Sequence, residues 1–165
     1  MRTLGLMVPA LVLLAGCGSS TATYVKSDTT LGRVVVYRNG VAYFERSAHV
    51  DGDSLKLNVP ADKVDDFLKS LTVTDAKTGL PAPVSYPSTG PNGALALKVA
   101  LPNSGSHDVK LSYVTEAPAW KPSYRVVLDK SGKLALQAWA IVDNTSGEDW
   151  ENVKLGVGSS SAMSF

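Results

Sequence analysis

The sequence predicts a mainly β fold, in which an antiparallel, β-sandwich-like C-terminal part follows a small β-rich subdomain with one short helix. Two observations predict this class. Short runs rich in valine and aromatic residues recur from residue 31 onward, and turn signals separate many of them by roughly 8 to 12 residues. In contrast, residues 62–71 have the apolar spacing of an amphipathic helix.

The N-terminus precedes this predicted fold and has the pattern of an export signal. Arg2 is followed by an apolar stretch over residues 4–14, which is shorter than the roughly 20 residues that a membrane-spanning helix needs. The letters LAGC that end at Cys17 then resemble a bacterial lipobox. Residues 1–16 are therefore predicted to be a lipoprotein signal peptide, cleaved between Gly16 and Cys17, with lipid attached to Cys17.

The predicted anchor has consequences for the rest of the N-terminal segment. Cys17 is the sole cysteine, so the chain cannot form an internal disulfide. Two or more acyl chains hold a protein stably at a membrane, whereas one holds it marginally. Gly18 replaces the aspartate of an inner-membrane retention signal, which favours the outer membrane over the inner membrane. Residues 17–30 are interpreted as the lipidated cysteine and a flexible tether. The alternative is an ordinary cleavage site beside an unmodified thiol.

The charge of the chain excludes one class of function. Removal of residues 1–16 takes away Arg2 alone among charged residues, so the formal charge falls from +1 to 0. A neutral chain with interspersed signs has no basic stripe, and we therefore predict no nucleic-acid partner.

Residues 31–79 are predicted to form the β-rich subdomain. Asn39-Gly40 separates two apolar, β-branched runs and is the strongest short signal for a hairpin. A third strand is expected at residues 55–59, and a fourth over residues 71–75. The helix is predicted over residues 62–71, with Asp62 as its N-cap. Its buried stripe is Val64, Phe67, Leu68 and Leu71.

The second half of the chain is predicted to be the β-sandwich-like domain. Residues 80–93 are rich in proline and glycine and are interpreted as a linker or a long loop. Residues 94–165 then contain five strand-like runs, including a hairpin with a turn at residues 130–132. Trp139 lies within one apolar run, and we expect its side chain in the core.

Four segments resemble a known family. They are AWKPSY at residues 119–124, NTSGEDWENVKL at residues 144–155, VYRNGVAYFER at residues 36–46 and DFLKSLTV at residues 66–73. Together they resemble bacterial envelope proteins of the mucoidy inhibitor A-like kind, whose shared domain has no known function. The resemblance implies a β-sandwich without established catalytic residues. Such relatives usually continue well beyond the matching part, so we expect a fragment, a truncated product or a short relative that pairs with a partner.

Candidates for chemistry are few. His49 and His107 lack the spacing of a metal site, and both are expected at the surface. We therefore predict no catalytic residue, metal or cofactor, and no enzyme activity. Trp120 and Trp150 lie in turn-flanked motifs and are candidate ligand-binding residues.

The predicted function is that of a lipid-anchored cell-envelope protein of structural or protein-interaction type. Its predicted partners are the membrane, through lipid on Cys17, and an envelope protein or a polysaccharide. The alternative is a carbohydrate-binding module that uses Trp120 or Trp150. A metal-assisted hydrolase ranks third.

Overall fold

A computed structural model describes residues 29–61, 64–85, 87–89 and 94–160. The predicted signal peptide, Gly16, Cys17, most of the predicted tether and the predicted N-cap Asp62 lie outside the described residues.

The described residues form ten strands and one helix, so the predicted mainly β class with one short helix is confirmed. The helix α1 (Val64–Ser70) lies between β3 and β4. The strands are β1 (Thr30–Tyr37), β2 (Val41–Asp51), β3 (Ser54–Pro60), β4 (Thr72–Asp75), β5 (Ser88–Thr89), β6 (Ala94–Ala100), β7 (Ser106–Glu116), β8 (Lys121–Leu128), β9 (Leu134–Ile141) and β10 (Lys154–Gly158).

The first hairpin forms where the Asn-Gly signal predicts it. β1 and β2 pair antiparallel, with Val36 opposite Ala42 and Val34 opposite Phe44, and all four side chains are buried. Gly40 adopts a φ of 80° in the connection, a conformation that costs a residue without a Cβ little. Alternation along both strands therefore gives the hairpin one apolar inner face.

The strands assemble into three sheets. The largest has the order β10-β1-β2-β7-β4, the second has the order β3-β6-β5, and β8 pairs with β9. These pairings are antiparallel except that of β1 with β10, which is parallel. A parallel pair requires a long crossover, and here most of the chain separates the two strands.

The proline-rich stretch at residues 80–93 contacts the sheets along its described part. Pro81 forms a bridge with Thr74, and Val84 forms one with Val99. A proline lacks the N–H donor but keeps its carbonyl, and the Pro83 carbonyl accepts a bond from the Ala100 N–H at 2.9 Å. Strands from both sides of the stretch share sheets, because β7 lies between β2 and β4 and β6 pairs with β3. The predicted division at residues 80–93 therefore does not coincide with a boundary between sheets.

The core lies between the five-stranded and the three-stranded sheets. Leu57 and Leu97 contribute to it from β3 and β6, and Leu111 and Tyr113 contribute from β7. Helix α1 adds Phe67 to this core. The centroid of its ring lies 4.7 Å from the centroid of the Tyr113 ring. Full burial of such a side chain stabilises the fold by about 1.5–3 kcal/mol. Of the predicted helical stripe, Val64 and Phe67 are buried, and the other two residues are half-buried.

Candidate interaction surface

The β8–β9 hairpin is stabilised by the pairing of its two strands and by hydrogen bonds in its turn. Lys121 lies opposite Ile141 and Leu128 lies opposite Leu134, so the two strands pair along their full length. In the connection, the Asp129 carboxylate accepts hydrogen bonds from the N–H groups of Ser131 (2.8 Å) and Lys133 (2.9 Å). The Ser131 hydroxyl donates a further bond to the same carboxylate at 2.6 Å. This hydroxyl bond lowers the pKa of the Asp129 carboxyl most, and the two N–H bonds lower it further. The hairpin prediction for this part of the chain is confirmed.

The two faces of this hairpin differ in chemistry. Residues that pair directly across an antiparallel ladder share a face, and successive residues alternate between faces. One face, which we call the apolar face, carries no charge and consists of Pro122, Tyr124, Val126, Leu128, Leu134, Leu136, Ala138 and Ala140. The other, which we call the mixed face, consists of Lys121, Ser123, Arg125, Val127, Ala135, Gln137, Trp139 and Ile141.

The large side chains of the apolar face are exposed, which is unusual for a β-ribbon. Leu136, for example, is 62% exposed, and Tyr124 and Leu128 are more exposed still. Trp139 on the mixed face is 49% exposed, so its predicted place in the core is wrong. The apolar run around Trp139 correctly indicates a strand, but no other described strand packs over the hairpin. Contiguous exposed apolar surface is typical of regions that bind a protein, a membrane or a ligand.

The two candidate ligand-binding tryptophans lie near the base of the hairpin and contact the core. The Trp120 indole donates its N–H to the carbonyl of Gly158 at 2.8 Å. The Trp150 indole donates to the Ser146 hydroxyl at 3.0 Å, and its ring packs edge-on against Phe44. Both side chains are half-buried, and their polar atoms bond within the protein. Sugar binding through them stays a prediction.

A buried ion pair holds the NTSGEDW motif against the sheet. The Glu148 carboxylate accepts a charged hydrogen bond from Arg46, whose side chain is 3% exposed. Arg46 also donates through Nε to the Tyr113 hydroxyl at 3.0 Å. Burial alone would lower the pKa of Arg46, but Tyr113 and Glu148 outweigh burial and raise it. Arg46 is therefore a charged group enclosed by the fold.

Arg46 was not among the site residues predicted from the sequence. A signal was present, because Phe44, Arg46 and Ala48 occupy the inward phase of β2 and all three are buried. A cation at an inward position needs a buried partner. The local sequence gives no indication that the partner lies 102 residues away.

A polar cluster lies on the outer face of β2 and β7. His49 Nδ1 lies 2.7 Å from Asp108 Oδ1, and His49 Nε2 lies 3.1 Å from Ser106 Oγ. This is the order of contacts in a serine-hydrolase triad. However, His49 and Ser106 are exposed, and the Asp108 side chain is 46% exposed. Water therefore screens charge that develops at this surface. We therefore interpret the cluster as cross-strand hydrogen bonding, set by the pairing of His49 with Asp108.

This cluster gives a pH-dependent prediction. The hydrogen bond with Asp108, together with the charge of Asp51, raises the pKa of His49 above its ordinary value of 6.5. The stabilising contribution of His49 is therefore complete below about pH 6.5 and is lost as the pH rises through the folded-state pKa. We expect Asp108→Asn to return the pKa of His49 toward its ordinary value, as measured by NMR titration of the imidazole. Asp51→Asn should cause a smaller decrease, and an unchanged pKa in Asp108→Asn would contradict the assignment.

His107 corrects a second sequence prediction. It was expected at the surface, but it is 8% exposed because it occupies the inward phase of β7 with Val109 and Leu111. Its Nε2 lies 3.0 Å from the Asn103 carbonyl oxygen. Beside it is a cavity of about 420 Å³ with mostly apolar walls. Its lining includes Asp75, Leu80, Pro81, Pro83, Pro102 and His107.

Among the described residues, no group of three or more His, Cys, Asp or Glu side chains is placed to hold a metal ion. Over the same ranges, no helix has the length and apolar character needed to cross a membrane.

Comparison with known families gives a match in the C-terminal part of the chain. Residues 109–164 match a domain of unknown function, DUF4139. The matched segment includes the β8–β9 hairpin, Trp120 and the motif around Glu148. No curated protein matches the chain.

Proposed function

We propose that this chain is a lipid-anchored cell-envelope protein with a structural or protein-interaction role, and that the apolar face is its interaction surface. The observation that carries the interaction role is the exposure of this uncharged face on a paired, well-formed hairpin. Removal of apolar surface from water is favourable by about 25 cal/mol per Å². Only the part of this free energy that exceeds the entropy lost on association contributes to affinity. A partner that covers this face would therefore bind mainly through the hydrophobic effect.

The N-terminal sequence supports the anchoring part of the proposal. The first described strand begins at Thr30, thirteen residues after Cys17. A flexible tether of that length has a typical end-to-end distance of about 20 Å. A lipid on Cys17 would thus keep the fold within reach of the membrane surface. We propose that the anchor lies in the outer membrane. The motifs that include Trp120 and Glu148 support a relationship to mucoidy inhibitor A-like proteins.

Replacement of Cys17 tests the anchor. We expect the full chain, expressed in a bacterium and analysed by intact mass spectrometry, to begin at Cys17 and to carry the mass of two or more acyl chains. Cys17→Ala should lose all acyl mass and retain residues 1–16, because the processing enzyme requires the lipidated cysteine. Ser19→Ala is the matched control and should be processed like the parent chain. A parent chain without acyl mass would reject the anchor, and acyl mass that persists in Cys17→Ala would reject Cys17 as its attachment site.

A photo-cross-linking amino acid tests the interaction surface. We expect the probe at Leu136, on the apolar face, to give protein adducts in intact cells. The same probe at Gln137, the next residue but on the mixed face, should give several-fold fewer. Equal yields at the two positions, or no adduct at either, would reject the apolar face as the interaction surface.

A further inference from the structure

We propose that the cavity beside His107 binds a small apolar molecule that carries a primary ammonium group. The cavity has a volume of about 420 Å³. Small-molecule sites in proteins usually measure about 300–1,000 Å³ and combine apolar walls with a few polar groups. The cavity is built from residues at and near the ends of β4, β6 and β7 and includes no residue of the β8–β9 hairpin. The inference is therefore independent of the proposed role of the apolar face.

Backbone hydrogen bonds hold the walls of the cavity in place. The Asp75 N–H donates to the Leu80 carbonyl at 2.9 Å, and the Gly79 N–H donates to the Asp75 carbonyl at 2.8 Å. These two bonds close the turn that follows β4. The Ala82 N–H donates to the Val73 carbonyl at 2.9 Å and joins the proline-rich stretch to β4. The cavity is therefore formed before a ligand binds, which reduces the entropy lost on binding.

The walls offer few partners to a hydrogen-bond acceptor or an anion. Pro81, Pro83 and Pro102 line the cavity and lack a backbone N–H. The N–H groups of Ala100 and Leu101 donate to carbonyls within the fold. Among the described residues that line the cavity there is no lysine or arginine. An anionic ligand would therefore lose its hydration at these walls with little compensation.

Two hydrogen-bond acceptors face each other at the polar end of the cavity. The buried His107 ring must donate through Nε2 to the Asn103 carbonyl oxygen at 3.0 Å, because a carbonyl oxygen only accepts. In the neutral imidazole, Nδ1 is then an acceptor. The Asp75 Oδ2 atom lies 4.0 Å from Nδ1, which is too far for a hydrogen bond between them. The space between the two atoms therefore suits a group that donates to both.

The Asp75 carboxylate supplies the charge of this site. Its Oδ1 accepts bonds from the Thr78 N–H (2.7 Å), the Thr78 hydroxyl (3.0 Å) and the Lys77 N–H (2.9 Å). The bonds from Thr78, and then the bond from Lys77, lower the pKa of the Asp75 carboxyl, so it is ionised at neutral pH. These bonds all use Oδ1, and Oδ2 accepts no hydrogen bond from the part of the chain that the structure describes.

A primary ammonium group satisfies both acceptors at once. It has three N–H donors and no acceptor, and its charge is opposite to that of Asp75. A nitrogen about 2.8 Å from each of two atoms that lie 4.0 Å apart makes an angle of about 90° between its two bonds, within reach of tetrahedral donors. The apolar stem of the ligand can then lie against Leu80 and the prolines. The cavity thus matches an apolar amine at both ends.

The volume of the cavity limits the size of the ligand. A cavity of about 150 Å³ holds benzene, so this cavity accommodates on the order of 15 non-hydrogen atoms. Hexylamine is well below this limit. Hexanol and hexanoate have a stem of similar length and replace the cation with a neutral hydroxyl and an anion, respectively. The three molecules are therefore matched probes of the polar end.

Titration of the purified full chain in a nonionic detergent at neutral pH tests the ligand class. NMR signals of the His107 ring and of the Leu80 methyl groups report binding in the cavity. We expect hexylamine to saturate these shifts with a dissociation constant at least tenfold below that of hexanol, and hexanoate not to saturate them. No saturable binding of hexylamine would overturn the site. Equal affinity for hexylamine and hexanol, or tighter binding of hexanoate, would overturn the ammonium class.

Asp75→Asn tests the charged end of the cavity. The amide oxygen can still accept the bonds from Lys77 and Thr78, so the turn is retained. The dissociation constant of hexylamine should rise at least tenfold, and that of hexanol should change little. Asp108→Asn is the matched control, because it removes a carboxylate next to His107 in the chain but on the outer face. It should leave hexylamine binding within twofold of the parent chain, and equal losses in the two variants would overturn the role of Asp75.

Leu80→Ala tests the apolar end. Leu80 is 66% exposed, so its truncation removes a wall of the cavity without opening the core. The dissociation constants of hexylamine and hexanol should both rise several-fold, as reported by the His107 ring. Leu155→Ala truncates another exposed leucine on β10, at the opposite edge of the five-stranded sheet from β4, and should change neither. Circular dichroism establishes that each variant is folded. Hexylamine binding that is unchanged in Leu80→Ala would overturn the cavity as the binding site.

Discussion

Glu148→Ala is expected to lower the free energy of unfolding by about 3 kcal/mol, because it leaves Arg46 charged and buried without its anionic partner. The Arg46 side chain is 3% exposed, and that of Glu148 is 22% exposed. Water can therefore reach the carboxylate but hardly reaches the guanidinium. The hydrogen bond from Arg46 to Tyr113 remains and keeps the loss near the lower end of the range for broken buried pairs. Urea unfolding followed by tryptophan fluorescence measures the effect.

Two variants control this result. Glu151→Ala removes an exposed carboxylate from the same segment and should change the stability by less than 0.5 kcal/mol. The double variant Arg46→Met with Glu148→Leu removes both charges and should recover much of the loss, because no uncompensated charge remains. If Glu148→Ala and Glu151→Ala lower the free energy of unfolding by the same amount, the ion pair does not hold the motif in place.

The ion pair also explains why the NTSGEDW motif has its composition. Asn144 accepts bonds from the N–H and the hydroxyl of Ser146, and its amide donates to the Glu148 carbonyl at 2.8 Å. The Ser146 hydroxyl in turn accepts the bond from Trp150. The motif is thus a hydrogen-bonded loop that presents one carboxylate to Arg46 and one ring to Phe44. Its residues hold this part of the fold together, and they lie within the segment that matches a domain of unknown function.

Local patterns in the sequence predicted local structure well. Asn39-Gly40 marked the first hairpin, and the spacing of Val64 and Phe67 marked the helix and its buried side. Each of these features depends on residues within one turn or one hairpin. The positive φ of Gly40 and the phase of the helical stripe are both encoded by neighbours in the chain.

Local sequence patterns could not predict which strands pair when the strands lie far apart in the chain. The pairing of β10 with β1, and of β7 with β2, joins strands that lie far apart in the chain. Period-two alternation shows which face of a strand is buried but not which strand lies beside it. The predicted burial of Trp139 failed for a related reason, since an apolar strand is buried only where another layer covers it. The pairing of Arg46 with Glu148 could not be predicted for the same reason, because the two residues are far apart in the chain.

Phe67→Ala is expected to have the largest effect, a loss of about 3–5 kcal/mol, because it opens a cavity where α1 meets β7. The Phe67 side chain is 0% exposed, and its ring contacts that of Tyr113, which stacks on Phe44 at 5.3 Å. Loss of one ring therefore removes support from the hydroxyl that receives the Arg46 bond. Chemical unfolding measures the loss, and near-ultraviolet circular dichroism reports the altered packing of the rings.

The size of the replacement shows whether cavity formation is the cause. Phe67→Leu keeps most of the buried volume and should cost clearly less than Phe67→Ala. Lys69→Ala changes an exposed residue of the same helix and should lie within 0.5 kcal/mol of the parent chain. If the leucine and alanine variants lose equal stability, the aromatic contact with Tyr113 outweighs the volume of the ring. If neither loses stability, α1 does not pack on the sheet, and the buried position of Phe67 is wrong.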